Sequence, residues 1–159
     1  MAPTWSARLD GDQVGVPVFG NTTLAEAIRV AQAEGARDPS LKSACAEGTC
    51  GACSVIVGGV RVLSCLQPAL RWQHCDIQTA TSFATGPIPQ ALASAGALQC
   101  GFCTPGFVVA LADLQARGVA PETAAELAAL LDANLCRCTG YVQLLEAGVA
   151  VLRRDPGAA

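Results

Sequence analysis

The chain has 159 residues, a formal net charge of −3 at pH 7 and only 14% charged side chains, whereas an average soluble domain has about 25%. This length allows a buried core in one domain or in two small ones, and no apolar run is long enough to span a bilayer. Because Lys and Arg form no cluster before Arg153 and Arg154, nucleic acid is not expected as a partner.

The scarcity of charged side chains predicts that other subunits cover part of the surface, unless it reflects only an alanine-rich composition. Residues 1–8 contain no apolar stretch of the kind that opens a secretion signal, so a cytoplasmic location is expected, while export together with a partner stays open. Nine cysteines without such a signal predict metal or redox use rather than a disulfide framework.

The N-terminal third of the chain predicts a β-hairpin followed by a helix. Alternating apolar residues at 4–9 and 13–19, separated by an Asp-Gly pair, are typical of two strands joined by a tight turn. Thr23 and Glu26 have the spacing of a capping box, and the amphipathic helix that they open is predicted to run to Gly35.

The next segment carries three cysteines with the spacing C-x4-C-x2-C, and a fourth cysteine follows at a distance. This spacing is typical of a plant-type [2Fe–2S] site. The glycines and alanines between the cysteines let backbone N–H groups approach sulfur and allow positive φ. A structural zinc site or a disulfide pair is the alternative, although zinc usually takes two short pairs of ligands. The predicted ligands of this first site are Cys45, Cys50, Cys53 and Cys65.

A second hairpin is predicted at residues 54–57 and 60–64 around a Gly-Gly turn, with a short strand at 76–81. The order of two strands, a helix, the cysteine loop and three further strands matches the β-grasp of plant-type ferredoxins, by analogy of fold. The predicted first domain is therefore a β-grasp, ferredoxin-like [2Fe–2S] domain at residues 1–82.

Beyond a Pro- and Gly-containing linker at residues 82–89, the pattern is almost wholly helical. Four helices are predicted, at about 89–98, 105–117, 121–133 and 140–152. The fold class is therefore α+β, with an all-α four-helix bundle that binds a second [2Fe–2S] cluster at residues 83–153 and a tail at 154–159.

The helical half has its own four cysteines, as C-x2-C at Cys100 and Cys103 and as C-x-C at Cys136 and Cys138. Each pair leads into a Cys-Thr-Gly-aromatic pattern that opens a helix, with the threonine as its cap. Two helix N-termini aimed at one point would stabilise an anionic cluster. A Rieske centre needs two histidines, and the chain has one. A zinc site with four thiolates remains open, but the C-x-C pair favours a second [2Fe–2S] site.

Both sets of four cysteines together resemble, over nearly the whole chain, the iron–sulfur subunit of the molybdenum hydroxylases. This is the family of xanthine dehydrogenase, aldehyde oxidoreductase and carbon monoxide dehydrogenase. The segments that carry the resemblance are CAEGTCGAC at 45–53, SCLQPA at 64–69, QCGFCTPG at 99–106 and CRCTGY at 136–141.

The resemblance implies that a large partner subunit holds molybdopterin, as the cytosine dinucleotide, and hydroxylates a substrate with oxygen from water. Electrons would then pass through the cluster of the helical domain, next through the ferredoxin-like cluster, and on to FAD in a medium subunit. The family pattern also implies that Gln99 and Cys138 contact the molybdopterin. No catalytic residue is expected in this chain.

The chain departs from the family pattern in two places. Ala44 stands where glycine is common, so a positive φ there would be strained. Val142 and Gln143 replace a more usual polar-proline pair.

Cys75 lies outside both sets of four cysteines and is expected to be a small buried apolar residue. Two other functions remain open, namely a free two-cluster electron carrier and a zinc-stabilised structural adaptor.

Overall fold

A computed structural model describes residues 3–35 and 40–153. Within these ranges the fold is mixed, with five β-strands in one sheet and five α-helices. The strands are β1 Thr4–Leu9, β2 Asp12–Pro17, β3 Ser54–Val57, β4 Val60–Leu63 and β5 Asp76–Gln78. The helices are α1 Leu24–Ala33, α2 Pro87–Ser94, α3 Thr104–Ala116, α4 Ala124–Leu130 and α5 Val142–Leu152. None of these helices combines the length and the apolar character needed to cross a membrane.

The sheet has the order β2-β1-β5-β3-β4. Both predicted hairpins are present, since β1 pairs with β2 and β3 pairs with β4 in antiparallel register. The central strand β5 lies parallel to β1 and antiparallel to β3. Strand β5 therefore joins the two hairpins into one sheet.

The prediction of a strand at 76–81 is wrong at its C-terminal end. Strand β5 ends at Gln78, and residues 80–83 form a short 3₁₀ helix. Thr79 causes this change, because its backbone N–H and its hydroxyl both donate to the Asp10 carboxylate at 2.7 Å. The Thr79 hydroxyl oxygen also accepts from the Thr81 N–H, which turns the chain away from the sheet.

The predicted capping box of α1 is confirmed. The Thr23 side chain accepts from the Glu26 N–H, and the Glu26 carboxylate accepts from the Thr23 N–H. The helix ends at Ala33, two residues before the predicted end, and Gly35 follows with φ +113°. The buried apolar face of α1 packs against the sheet in the first hydrophobic core.

Four helices follow the connector, as predicted, but their ends differ. The predicted linker at 82–89 already contains the start of α2, because Pro87 is its first residue. Helix α4 is shorter than the predicted 121–133, since Thr123 caps it by accepting from the Glu126 N–H. At its C-terminal end, α4 stops at Leu130. The segment that follows turns towards the first cysteine loop, where the Leu135 N–H donates to the Cys50 carbonyl.

The buried apolar side chains form two separate cores. The first lies between the sheet and α1, and among its fully buried members are Trp5, Leu9, Leu24, Ile28 and Ile77. The second lies among α2 to α5, and among its fully buried members are Leu92, Phe107, Leu111 and Leu127. Burial of each such side chain contributes about 1.5–3 kcal/mol before entropy is subtracted. Helix α3 is buried over most of its length because it packs on β3 and β4 as well as on the other helices.

Candidate metal centres

The first set of four cysteines is brought together at one end of the sheet. Three lie in the loop that precedes β3, and Cys65 lies in the 3₁₀ turn that follows β4. The Cys65 thiol donates to the Cys53 sulfur and also faces Cys45, while the Cys50 thiol donates to Cys45. Cys53 and Cys65 are buried, and the other two are half-buried. The predicted first site is therefore a real spatial group of four sulfurs.

The loop around these cysteines uses left-handed backbone at three positions. Gly48 has φ +82° and Gly51 has φ +68°, as their residue type allows. The third position is Ala46, with φ +56°, while Ala44 is not left-handed. Ala44 therefore avoids the strained positive φ considered for it, and Ala46 adopts such a φ instead. A side chain at Gly48 would meet Leu66, which lies over the loop.

Two cysteines of the first site have opposite pKa shifts. The pKa of Cys45 is lowered to about 6, first by the backbone N–H of Glu47 and then by the Thr49 hydroxyl. The pKa of Cys65 is raised to about 12, first by burial and then by its hydrogen bond to Cys53. The loop thus directs several donors at Cys45, whereas burial dominates at Cys65.

The second set of four cysteines surrounds a cleft between the start of α3 and the segment that joins α4 to α5. The sulfur atoms of Cys100 and Cys138 are 3.6 Å apart, and the Cys103 thiol donates to the Cys136 sulfur. Cys100 and Cys138 are exposed, while the other two are half-buried. The cleft has a volume of about 560 Å³. Besides the four cysteines, it is lined by Phe102, Leu135, Arg137 and Tyr141.

The prediction that a threonine caps each helix at this site is wrong. Neither α3 nor α5 has a side-chain cap at its N-terminus. Thr139 instead forms a local turn, in which its hydroxyl oxygen accepts from the Tyr141 N–H at 3.2 Å and its hydroxyl donates to the Cys136 sulfur at 3.2 Å. Thr139 therefore contacts a cysteine of the site rather than the end of a helix.

Tyr141 anchors the same loop. Its hydroxyl accepts from the Cys136 N–H at 2.8 Å and donates to the Asn134 carbonyl at 3.4 Å. Its ring lies edge-on to Phe107 with 6.3 Å between centroids, and its backbone is left-handed with φ +69°. Such a conformation is costly for an aromatic residue, and these contacts hold it in place.

Two cysteines of the second site have opposite pKa shifts. Burial raises the pKa of Cys136, but the hydroxyl and N–H of Thr139, the Cys103 thiol and the Cys138 N–H outweigh burial and lower it to about 7. The pKa of Cys103 is raised to about 12, first by burial and then by its hydrogen bond to Cys136. Each set of four cysteines thus contains one sulfur that several donors surround and one that burial dominates.

Two further residues were singled out in the sequence. Gln99 lies beside the second site, and Cys75 lies outside both sites. Gln99 is exposed and directly precedes the exposed Cys100. Cys75 lies outside both sets, half-buried against the first core, with its thiol 3.5 Å from the Gln73 carbonyl. Apolar side chains are exposed around the second site at Leu98, Phe102, Leu135 and Val142.

The sequence did not reveal one residue that links the two sites. Asn134 is only 2% exposed, and its amide donates to the Gly51 carbonyl in the first cysteine loop at 3.4 Å. The following residue, Leu135, donates its N–H to the Cys50 carbonyl at 3.0 Å. The repeated Cys-Thr-Gly-aromatic pattern pointed to Tyr141, but no local pattern marks Asn134.

Comparisons with known proteins agree with this geometry. A family model described as a [2Fe-2S] binding domain matches residues 77–148. The nicotine 6-hydroxylase small subunit of Paenarthrobacter nicotinovorans is 36% identical over 143 residues, which cover 88% of this chain and 84% of that protein. The xanthine dehydrogenase iron-sulfur-binding subunit of Escherichia coli O157:H7 is 41% identical over 111 residues, which cover 67% of this chain and 70% of that protein. The chain belongs to the iron–sulfur subunits of the molybdenum hydroxylase family.

Solved structures resemble this iron–sulfur subunit closely. Quinoline 2-oxidoreductase from Pseudomonas putida 86 gives a TM-score of 0.83 at 29% identity, with 94% of this chain and 92% of that chain covered. Aldehyde oxidoreductase from Desulfovibrio desulfuricans ATCC 27774 gives 0.82 at 31% identity, with 96% of this chain but only 17% of that longer chain covered. The predicted family is confirmed, and with it an electron-transfer role as a subunit of an oxidoreductase.

The donor set of this iron–sulfur subunit fits the cofactor of its family. Thiolates are the ligands that hold [2Fe–2S] clusters, and four cysteines meet at each of two places. Backbone N–H groups and hydroxyls are directed at the sulfurs, as an anionic cluster requires. Among the described residues, no group of three or more His, Cys, Asp and Glu side chains is arranged to hold a single metal ion.

Proposed function

We propose that this chain carries two [2Fe–2S] clusters and relays electrons from molybdopterin in a large partner subunit towards FAD in a medium subunit. The observation that carries the proposal is the presence of two separate groups of four cysteine sulfurs, one in each half of the chain. When bound, each cluster would take up and release one electron at a time. The proposed ligands are Cys45, Cys50, Cys53 and Cys65 at the first site, and Cys100, Cys103, Cys136 and Cys138 at the second.

The protein's own part in this function is to stabilise negative charge on the cysteine sulfurs. At the first site, the N–H groups of Glu47 and Thr49 point at Cys45. At the second, the Thr139 hydroxyl and the N–H groups of Cys138 and Thr139 point at Cys136. These donors would stabilise the thiolate ligands and favour reduction.

We also propose that residues 1–82 form a β-grasp, ferredoxin-like domain and residues 83–153 a four-helix bundle. The two separate hydrophobic cores support this division. The predicted tail at 154–159 lies outside the described residues.

The second site is the proposed docking point for the molybdopterin subunit, with Gln99 and Cys138 as the contacts. Support comes from the exposure of both residues and of the apolar side chains around them. Partner subunits are also expected because the relative from Paenarthrobacter nicotinovorans is named a small subunit. The FAD subunit, the cytosine dinucleotide form of the cofactor and the cytoplasmic location stay predictions.

Electron paramagnetic resonance of the reduced protein tests the two-cluster proposal. We expect two distinct [2Fe–2S] signals, together with iron and acid-labile sulfide for two clusters per chain. Cys136→Ser should remove or alter one signal and leave the other, and Cys75→Ser, outside both sites, should change neither. Iron for only one cluster, or loss of both signals in Cys136→Ser, would contradict two independent sites.

Purification from the native host separates the proposal from its alternatives. An oxidoreductase subunit should co-purify with a much larger chain and with molybdenum. A free electron carrier would contain both clusters without that partner. A zinc-stabilised adaptor would be colourless and would contain zinc but neither iron nor acid-labile sulfide.

A further inference from the structure

Thr139 makes two hydrogen bonds that together fix the direction of its hydroxyl proton. The Tyr141 N–H donates to the hydroxyl oxygen at 3.2 Å and occupies one of its lone pairs. The proton is then directed at the Cys136 sulfur, which lies 3.2 Å from the same oxygen. Thr139 is half-buried, so water competes only partly for this bond.

The first site contains a comparable threonine in a different setting. The Thr49 hydroxyl hydrogen bonds to the Cys45 sulfur, but it also donates to the exposed Glu47 carboxylate at 3.1 Å. A hydroxyl has one proton to donate, so Thr49 divides it between sulfur and carboxylate. At the second site no carboxylate competes in the hydrogen bonds that Thr139 makes among the described residues.

We propose that the Thr139 hydroxyl raises the reduction potential of the second [2Fe–2S] site. This inference rests on the proposed function, because it needs a cluster on Cys136. Reduction adds one electron and no proton, so negative charge on the thiolate ligands increases. A hydroxyl that donates to one of those sulfurs stabilises the reduced state more than the oxidised state.

The test is a redox titration of the purified protein with dithionite, followed by electron paramagnetic resonance. Thr139→Val keeps the shape of the side chain and removes the hydroxyl, and we expect a lower midpoint potential for the second site only. Thr139→Ser keeps the hydroxyl and should retain the wild-type value. The matched variant Thr49→Val should lower the midpoint of the first site and leave the second unchanged.

The outcomes separate this inference from the proposed function. Wild-type protein with fewer than two clusters would contradict the proposed function before any variant is compared. With both clusters present, an unchanged midpoint in Thr139→Val, or an equal shift in Thr139→Ser, would overturn the tuning role. If Thr139→Val loses the second cluster, Thr139→Ala replaces it. If Thr139→Val and Thr139→Ala both lose the second cluster while Thr139→Ser retains it, the tuning role would also be overturned. The hydroxyl would then be needed for cluster assembly.

Discussion

Gly106 lies where helix α3 meets the first cysteine loop. A Cβ atom at this position would collide with the Gly51 carbonyl oxygen and lie 3.0 Å from the Ala52 Cα. Both obstacles are backbone atoms between two cysteines of the first site, so neither can rotate away. The absence of a side chain at Gly106 therefore lets the second half of the chain touch the loop that holds the first site.

Replacement of Gly106 by alanine should destabilise the protein by about 1–3 kcal/mol, the usual cost of overpacking. We also expect reduced iron at the first site, because the collision displaces the loop around Gly51. Urea unfolding and iron analysis measure the two effects. The control is Gly20→Ala, where a Cβ would meet nothing within 4 Å and φ is not left-handed. Equal stability of the two variants would contradict the role of the Gly106 contact.

At the residue scale, the sequence predicted which cysteines lie together but did not reveal Asn134, and it assigned Thr139 a different contact. The spacing C-x4-C-x2-C limits the reach of a loop, so grouping of Cys45 with Cys50 follows from local chain geometry. The contact of Asn134 with Gly51 joins residues 83 positions apart, and no spacing rule covers such a pair. The Thr139 hydroxyl was predicted to cap a helix because capping is its commonest role before one.

Thr23 shows how a local pattern determines the start of an element. Its hydroxyl oxygen accepts from the Glu26 N–H at 3.2 Å, and its own N–H donates to the Glu26 carboxylate at 2.7 Å. The Thr23 N–H, followed by the Thr23 hydroxyl, which also donates to the carboxylate at 2.9 Å, holds the pKa of Glu26 below its ordinary value. Because helix α1 covers one side of the first core, loss of its cap affects the whole first half.

Thr23→Ala should lower the free energy of unfolding by about 1 kcal/mol, as is typical for loss of an N-cap. Thr23→Ser keeps the accepting oxygen and should stay close to wild type. Thermal unfolding followed by circular dichroism gives the comparison. A serine variant as unstable as the alanine variant would show that the methyl group, and not the oxygen, supports the helix start.

The ends of β5 and α4 could not be predicted in the same way. Strand β5 ends because Thr79 bonds to Asp10, 69 residues earlier in the chain. Helix α4 ends at Leu130, and the segment that follows it turns towards the first cysteine loop, where the Leu135 N–H donates to the Cys50 carbonyl. In both cases the chain beyond the element contacts a distant partner, whereas the capping box of α1 lies within four residues. Local patterns therefore predicted which elements exist better than where they end.

Across the whole molecule, each half has its own core but is small for independent stability. Metal binding adds folding free energy when the site forms only in the folded state. Removal of iron with a chelator under reducing conditions should therefore abolish the cooperative thermal transition and reduce helicity. The measurement is circular dichroism before and after chelation. An apo protein that keeps full helicity and a cooperative transition would contradict this prediction.

The two halves are also joined by a polar contact between their interiors. Arg61 on β4 donates to the Asn134 side-chain oxygen at 3.3 Å and lies 3.8 Å from the carboxylate of Asp113 on α3. Asp113 is buried and also pairs with Arg117 at 2.8 Å. Since the Asn134 amide donates to Gly51, this network connects β4, the first cysteine loop and the segment before Cys136.

A double-mutant cycle on Arg61→Met and Asn134→Leu should give a coupling free energy of about 1 kcal/mol or more, within the range of residues that share a hydrogen-bond network. Each single change leaves a polar group at the joint without its partner, so the double variant should lose less than the sum. Denaturant unfolding of the four proteins provides the values. The control cycle uses Arg8 and Asp76, an exposed ion pair within the first half, where solvent screening predicts a smaller coupling. Additive effects at Arg61 and Asn134 would contradict a coupled polar network between the halves.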